Sequence, residues 1–248
     1  MSDEIRYPAG FSLKDIVDWG NSGLVCLDSQ SQTVVKCAHA EENEAEIAVE
    51  KKIYERFRDN GGHPGILQYH GPYDIGIRLQ FAPHGNLASF LESSEPNVEQ
   101  RLRWCQQVAS AVHFAHSNNV IHGDLRCGNI LLDTQLNAKL ADFGGSSLDG
   151  SPLLIAVTAS HRSPGPALSV QGDLFALGST MYHIITGATP FAPLDEEIEA
   201  FYAQSKFACT KQLGPIGHVI TNCWQGQYHA ANIIVADITG MHRSTNPH

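Results

Sequence analysis

From residue 11 to residue 38, apolar and polar positions alternate around Gly20, Gly23 and a polar turn at Asp28–Thr33. The run Thr33-Val-Val-Lys-Cys-Ala38 is β-branched, so the chain opens as a set of hairpin-forming strands. From Glu41 to Arg58 the period lengthens. Ile47, Glu50, Ile53, Tyr54 and Phe57 recur at three- and four-residue spacing in a charged helix that Asp59-Asn-Gly-Gly62 ends. Ile66–Tyr69 and Ile75–Phe81 are apolar stretches of strand length. Ala82-Pro-His-Gly-Asn86 is a turn-rich break, and beyond it Leu87–Leu91, Val98–His116 and Gln171–Ile185 read as helices. Met241 to His248 reads as a frayed tail. There is no internal repeat and no low-complexity segment. The pattern predicts an α+β fold of two lobes around a cleft: a small β-rich N-lobe with one main helix over 1–81, a hinge over 82–86, and a larger helical C-lobe over 87–248, together one domain.

Composition narrows the function. A chain of 248 residues is large enough for one catalytic unit with two unequal lobes. Its 16 Lys+Arg against 26 Asp+Glu give a formal charge of −10, so the basic footprint of a nucleic-acid or anionic-membrane binder is missing, and a basic partner would be steered favourably. The six cysteines (Cys26, Cys37, Cys105, Cys127, Cys209, Cys223) form no C-x-x-C pair or zinc-like cluster. They fit reduced thiols of an intracellular, cytoplasmic protein, with the nucleus as the alternative. No signal-like start and no membrane-length apolar run is present.

The chemistry concentrates in residues 122–144. Phosphoryl transfer needs a carboxylate to position the attacking hydroxyl, oxygen ligands for a metal, and cations on the phosphates. In His122-Gly-Asp124-Leu-Arg126-Cys-Gly-Asn129, Asp124 suits the first role, Arg126 reaches for the γ-phosphate and Asn129 offers a metal ligand. Asp142, in Asp142-Phe-Gly144, offers another. A short apolar hairpin, Ile130-Leu-Leu132 and Ala138-Lys-Leu-Ala141, separates them. Six fixed identities in one register recur by accident about once in 10⁷ to 10⁸, each being roughly one in twenty.

This stretch resembles the catalytic loop and D-F-G segment of the eukaryotic protein-kinase family, and further family features fall at matching places over residues 18–225. The resemblance implies a bilobal protein-kinase-like fold and transfer of the γ-phosphoryl of ATP, with Mg²⁺, to a hydroxyl of a protein substrate. It makes Asp124 the catalytic base, and Asn129 and Asp142 the metal ligands. Lys36 becomes the strand lysine on the α- and β-phosphates, and Glu50 the helix glutamate that pairs with it. Gly20, Gly23, Val25, Gln80, Ala82 and Leu131 join Lys36 in holding ATP, with Leu79 behind the pocket. Asp173-Leu-Phe-Ala-Leu-Gly178 with Ile184-Ile-Thr-Gly-Ala-Thr-Pro-Phe191 is similar to the buried central helix of the large lobe. Taken singly, Lys36 and Glu50 would be surface charges, Gly20-Asn-Ser-Gly23 a plain turn, Asp173 a helix cap and Cys127 a quiet small residue or a reactive thiol.

The sequence departs from the family pattern at four places. Asp18 stands where the first glycine of the phosphate loop belongs, which bears on nucleotide affinity. Gly123 replaces the arginine that follows His122, so switching by phosphorylation of the activation segment is not expected. Gly165, in Arg162-Ser-Pro164-Gly165, replaces a glutamate, and the arginine that would pair with it is missing after Cys223-Trp224. Two rival readings remain beside the protein kinase: a small-molecule phosphotransferase of the aminoglycoside or choline kinase type, which the triplet His122-Gly-Asp124 also resembles, and a pseudokinase scaffold. Arg126 resembles the loops of some tyrosine kinases, whereas the commoner acceptor is serine or threonine. The substrate's identity and the oligomeric state have no signal in the sequence.

Overall fold

In the computed structural model the described residues are 5–20, 23–192 and 197–244, without the side chains of 242–244. Asn21 and Ser22, of the run Gly20-Asn-Ser-Gly23, lie outside them.

Three strands, β1 (Ile16–Gly20), β2 (Gly23–Asp28) and β3 (Thr33–Cys37), run as consecutive hairpins. Helix α1 (Glu44–Asp59) follows a short 3₁₀ turn at Glu41–Asn43, and its buried stripe is Ile47, Glu50, Ile53, Tyr54 and Phe57. The stripe thus includes a carboxylate amid apolar residues, which only a buried cation makes tenable. At the helix end Gly62 N–H bonds Phe57 C=O at 2.8 Å. Strands β4 (Tyr69–Tyr73) and β5 (Gly76–Gln80) complete an antiparallel sheet in the order β1-β2-β3-β5-β4. The expected strand at Ile66–Tyr69 is displaced: Ile66 makes only an isolated bridge to Leu140, and the ladder starts at Tyr69 and continues through Gly71-Pro72. A proline is compatible with this position because β4 is the sheet edge. The N-terminal residues Ile5, Tyr7, Phe11 and Ile16 pack on Leu24, Cys26 and Cys37 at the outer face of the sheet.

Past Phe81–Asn86 the chain becomes helical. Helices α2 (Leu87–Ser93) and α3 (Val98–Ser117) each start on an asparagine cap, Asn86 accepting from Ser89 N–H and Asn97 from Gln100 N–H. The short β6 (Val120–Ile121), the hairpin β7 (Ile130–Leu132) and β8 (Ala138–Leu140), and β9 (Ser147–Leu148) carry the loops of the cleft floor. Helix α4 (Val170–Thr186) runs through the lobe with ten buried residues, capped by Ser169 and closed by Gly187 in the left-handed region. Of the helices that follow, α5 (Ile198–Ala203) reaches α4 through Tyr202 on Phe175, α6 (Pro215–Trp224) packs along α4, and α7 (Ala231–Ser244) packs on α3; the expected tail from Met241 continues α7 as far as Ser244, and 245–248 lie outside the described residues.

Two contacts fix the large lobe. A Cβ on Gly178 would lie 2.7 Å from Cys223 Cβ, so the glycine lets α6 lie against α4, and Trp224 Nε1–H then donates to Ser179 Oγ at 3.0 Å. Tyr202 of α5, buried against Phe175 and Phe207, donates its hydroxyl to Ser160 C=O at 2.9 Å. With Arg162–Glu199 at 2.8 Å, this anchors the end of the activation segment where the family's glutamate–arginine pair is missing.

Candidate active site

A cavity of about 630 Å³ lies between the lobes. Asp18, Gly20, Gly23, Val25, Lys36 and Leu79 line its sheet side, and Asp124, Arg126, Asn129, Leu131 and Asp142 its helical side. Of the ATP-binding residues read from the sequence, all but Gln80 and Ala82 face this space. Gln80 turns its side chain away, accepting from Gln68 N–H, and Ala82 C=O accepts from Gly85 N–H. Neither lines the cavity.

Lys36 is the centre of the roof. Its Nζ lies 2.7 Å from Glu50 Oε2 and 2.6 Å from Asp142 Oδ1, although the three residues come from β3, α1 and the loop after β8. Lys36 and Glu50 are 7 % and 1 % exposed. Burial works against the Lys36 ammonium, but the two carboxylates outweigh it and raise its pKa, so the cation persists. Burial raises the pKa of Glu50, with Lys36 opposing. Glu50 Oε1 also accepts the Phe143 N–H at 3.2 Å, tying α1 to the Asp142-Phe-Gly144 turn. Asp142 has φ of 61°, an unusual backbone for a non-glycine residue that this ion pair helps to hold. Phe143 is fully buried, with Tyr54 at 5.6 Å, Phe57 at 5.1 Å and His122 at 4.9 Å between ring centroids.

The floor is a hydrogen-bonded frame. Asp173, in the first turn of α4, accepts from His122 N–H (2.8 Å), Gly123 N–H (2.9 Å) and His116 Nε2 (2.9 Å). It is a frame carboxylate inside the helix, the cap being Ser169. His122 Nε2 bonds Ala141 C=O at 3.0 Å while Nδ1 accepts from Asp124 N–H at 3.2 Å, an arrangement that only the Nε2-protonated tautomer satisfies. Ala141 N–H in turn donates to Asn129 C=O, so the β7–β8 hairpin delivers Asn129 and Asp142 side by side. Asn129 Nδ2 donates to Asp124 Oδ2 at 2.7 Å and to Asp124 C=O at 2.8 Å, and Arg126 Nε–H to Asp124 Oδ2 at 3.2 Å. Asn129 has therefore spent its amide N–H₂, and its carbonyl is the end that remains to serve as an oxygen ligand. Cys127 is buried with its Sγ against Thr180 C=O, and burial pushes its thiol pKa up, which removes it as a nucleophile.

Several lining residues have no motif in the sequence. Glu46, one turn before Glu50 on α1, faces the cleft with its Cβ 3.3 Å from where a Gly144 Cβ would sit; the i, i+4 spacing from Glu50 was the available signal. Leu154, Ile155 and Ala156 line the cavity from the activation segment, where Leu154 N–H bonds Gly145 C=O. Next to them, Leu153 lies over Gly123. Gly123 has φ of +76°, and a Cβ there would be 2.5 Å from Leu153 Cδ2. The place of the family's arginine is thus filled by a leucine side chain.

The family model for protein tyrosine and serine/threonine kinases matches residues 23–231. The chain belongs to the protein kinase family. Among curated proteins, this kinase chain is 33% identical over 153 residues to the human NUAK family SNF1-like kinase 2, covering 55% of this chain and 24% of that protein. It is 27% identical over 201 residues to mitogen-activated protein kinase kinase kinase 2 of Arabidopsis thaliana, covering 73% of this chain and 30% of the relative. It is also 32% identical over 142 residues to the carbon catabolite-derepressing protein kinase of Secale cereale, covering 52% and 28%. The kinase chain therefore spans about a third or less of the length of these relatives. Membership in the family implies ATP and a divalent metal. No helix among the described residues is long and apolar enough to cross a membrane.

Proposed function

We propose that this chain is an ATP-dependent protein kinase that phosphorylates a serine or threonine hydroxyl of a protein substrate. The observation that carries the reading is the joint arrangement of Lys36 with Glu50 and Asp142 on the roof and Asp124 with Asn129 on the floor of one cleft. In it, Asp124 accepts the proton of the attacking hydroxyl, held in orientation by Asn129 and Arg126. Lys36, kept charged by its two carboxylates, grips the α- and β-phosphates, and Arg126 faces the transferring group. Val25 and Leu131 sandwich the base in front of Leu79, with the backbone of Gln80 and Ala82 at its edge, and Gly20 and Gly23 cover the phosphates.

The donor set suits magnesium: the Asn129 carbonyl and the Asp142 carboxylate are hard oxygens in the same cavity. When bound at Asn129 and Asp142, such an ion would neutralise phosphate charge. The domain division into an N-lobe over 1–81, a hinge over 82–86 and a C-lobe over 87–248 belongs to the same proposal, as does a reducing, cytoplasmic or nuclear setting, which six cysteines free of disulfides support.

The reading is tested by incubating the chain with Mg-ATP and mapping its own phosphorylation by mass spectrometry, alongside Asp124→Asn and Asp142→Ala. The expected result is phosphoserine or phosphothreonine in the parent and a loss of about 10²-fold or more in Asp124→Asn. A raised melting temperature with Mg-ATP but no phosphate on any acceptor, in parent and variants alike, would establish a scaffold instead.

A further inference from the structure

Asp18 is the residue that the phosphoryl-transfer reading leaves without a task. The strand register places it: Asp18 pairs with Val25 across β1 and β2, and Val25 pairs with Lys36 across β2 and β3. Residues directly opposite in antiparallel strands share a face, so Asp18, Val25 and Lys36 form one row on the cleft side of the sheet. The neighbours of Asp18 confirm the side, since Val17 and Trp19 are 47 % and 46 % exposed, Trp19 lying 5.6 Å from the His39 ring. With strands about 4.8 Å apart, Asp18 stands about 10 Å from Lys36. The row therefore reads cation, apolar platform, carboxylate.

Three of the other four carboxylates lining the cavity are engaged. Glu50 and Asp142 are paired to Lys36, and Asp124 is bonded by Asn129 and Arg126, while Glu46 stands beside Gly144 at the Asp142 end. Asp18 has one partner among the described residues, its neighbour's Trp19 N–H on Oδ1 at 2.8 Å, which leaves Oδ2 for the cleft. Across the mouth, Asn86 and Ala88 line the same cavity, but the Asn86 carbonyl is spent on capping α2. Among the described residues that line that end of the cleft, the one carboxylate is on the roof.

A nucleoside triphosphate has three chemistries to satisfy: phosphates by cations, a flat base by apolar walls, and a sugar with adjacent hydroxyl donors by an acceptor. Carboxylates are the recurrent acceptor for ribose hydroxyls in nucleotide sites, because a charged acceptor makes the stronger hydrogen bond. Repulsion from the phosphates does not prevent this role, since solvent-exposed charges more than about 8 Å apart are largely screened at physiological salt. We propose that Asp18 is the ribose-recognising, specificity-determining residue of this cleft, replacing the flexibility of a glycine with discrimination for a ribonucleotide. The inference rests on the nucleotide reading above.

The experiment is calorimetric titration of the whole chain with Mg-ATP, Mg-2′-deoxyATP and Mg-3′-deoxyATP. The parent is expected to lose about tenfold in affinity on removal of at least one hydroxyl, and Asp18→Gly less than about twofold on the same removal. Asp18→Asn, which keeps the shape and guards against a disturbed β1, is expected to cut the preference to below about threefold. Equal binding of the three nucleotides by the parent overturns the proposal while leaving the nucleotide reading intact. So does an undiminished sugar preference in both variants, even if they bind ATP more tightly. A parent that binds none of the three overturns the nucleotide reading itself, and this proposal with it.

Discussion

At the scale of single residues, the cleft depends on charges that are tenable only together. Replacing Lys36 by methionine would leave Glu50 buried and Asp142 beside it without their cation. Breaking a buried pair from one side costs about 3–5 kcal/mol. Lys36→Met is therefore expected to lower the urea midpoint substantially, and the double variant Lys36→Met, Glu50→Leu to recover most of that loss while remaining without phosphotransfer. A midpoint unchanged in the single variant would mean that the pair is not buried in solution. His161 provides a second, independent reading. It is 2 % exposed, its Nδ1 is bonded to Ser160 Oγ, and burial pushes its pKa from 6.5 down to about 3. Between these values the unfolded chain binds a proton that the folded chain refuses, so the contribution is complete above pH 6.5 and declines as pH falls toward 3. From pH 7.5 to 5.5 the parent should lose about 1.4 kcal/mol more stability than His161→Gln, measured by urea unfolding at both pH values.

At the scale of elements, the activation segment is the part whose behaviour the structure redefines. Leu153 on Gly123 and Ile155 on Gly145 seat it by apolar contact, and Arg56 of α1 reaches Asp149 with two hydrogen bonds, at 2.9 and 3.3 Å, and Asn118 C=O with another. Restoring an arginine by Gly123→Arg would force a side chain onto a φ of +76° and into the Leu153 position. We expect a loss of about 1–3 kcal/mol and faster proteolytic cleavage between residues 148 and 157. Adding Leu153→Ala should return the steric part of the loss but not the backbone part. An arginine variant with parental stability and cleavage rate would show that the leucine seat does not hold the segment. The sequence exposed the glycine here but not its consequence, because Leu153-Leu154-Ile155 carries no periodicity. Helices with strong stripes and asparagine or serine caps were legible to within a few residues, as α3 and α4 are. Strand β4 was not, since Gly71-Pro72 reads as a turn unless the strand is known to lie at an edge.

At the scale of the whole molecule, the two-lobed architecture was legible because the alternating and helical periods segregate along the chain. The candidate site was legible because its densest part, His122 to Gly144, is contiguous. Lys36 and Glu50 could be placed only by their order relative to that segment, and the structure brings them to it through ion pairs spanning up to 106 residues. What escaped were contacts between segments that carry no pattern of their own. The Tyr202–Ser160 bond and the Arg162–Glu199 pair, at the end of the activation segment, are examples. Such contacts depend on shape, which a one-dimensional pattern does not encode.

The cysteines carry a consequence of their own. Cys26 and Cys37 lie in the sheet, Cys105, Cys127 and Cys223 in the helical lobe, all five buried, while Cys209 is exposed. A thiol-alkylating reagent added to the native protein should mark Cys209 at once and the others only when the backbone around them opens. The order in which the hidden sulfurs acquire label as denaturant rises becomes a clock with a hand in each lobe, recording which half of the kinase lets go first.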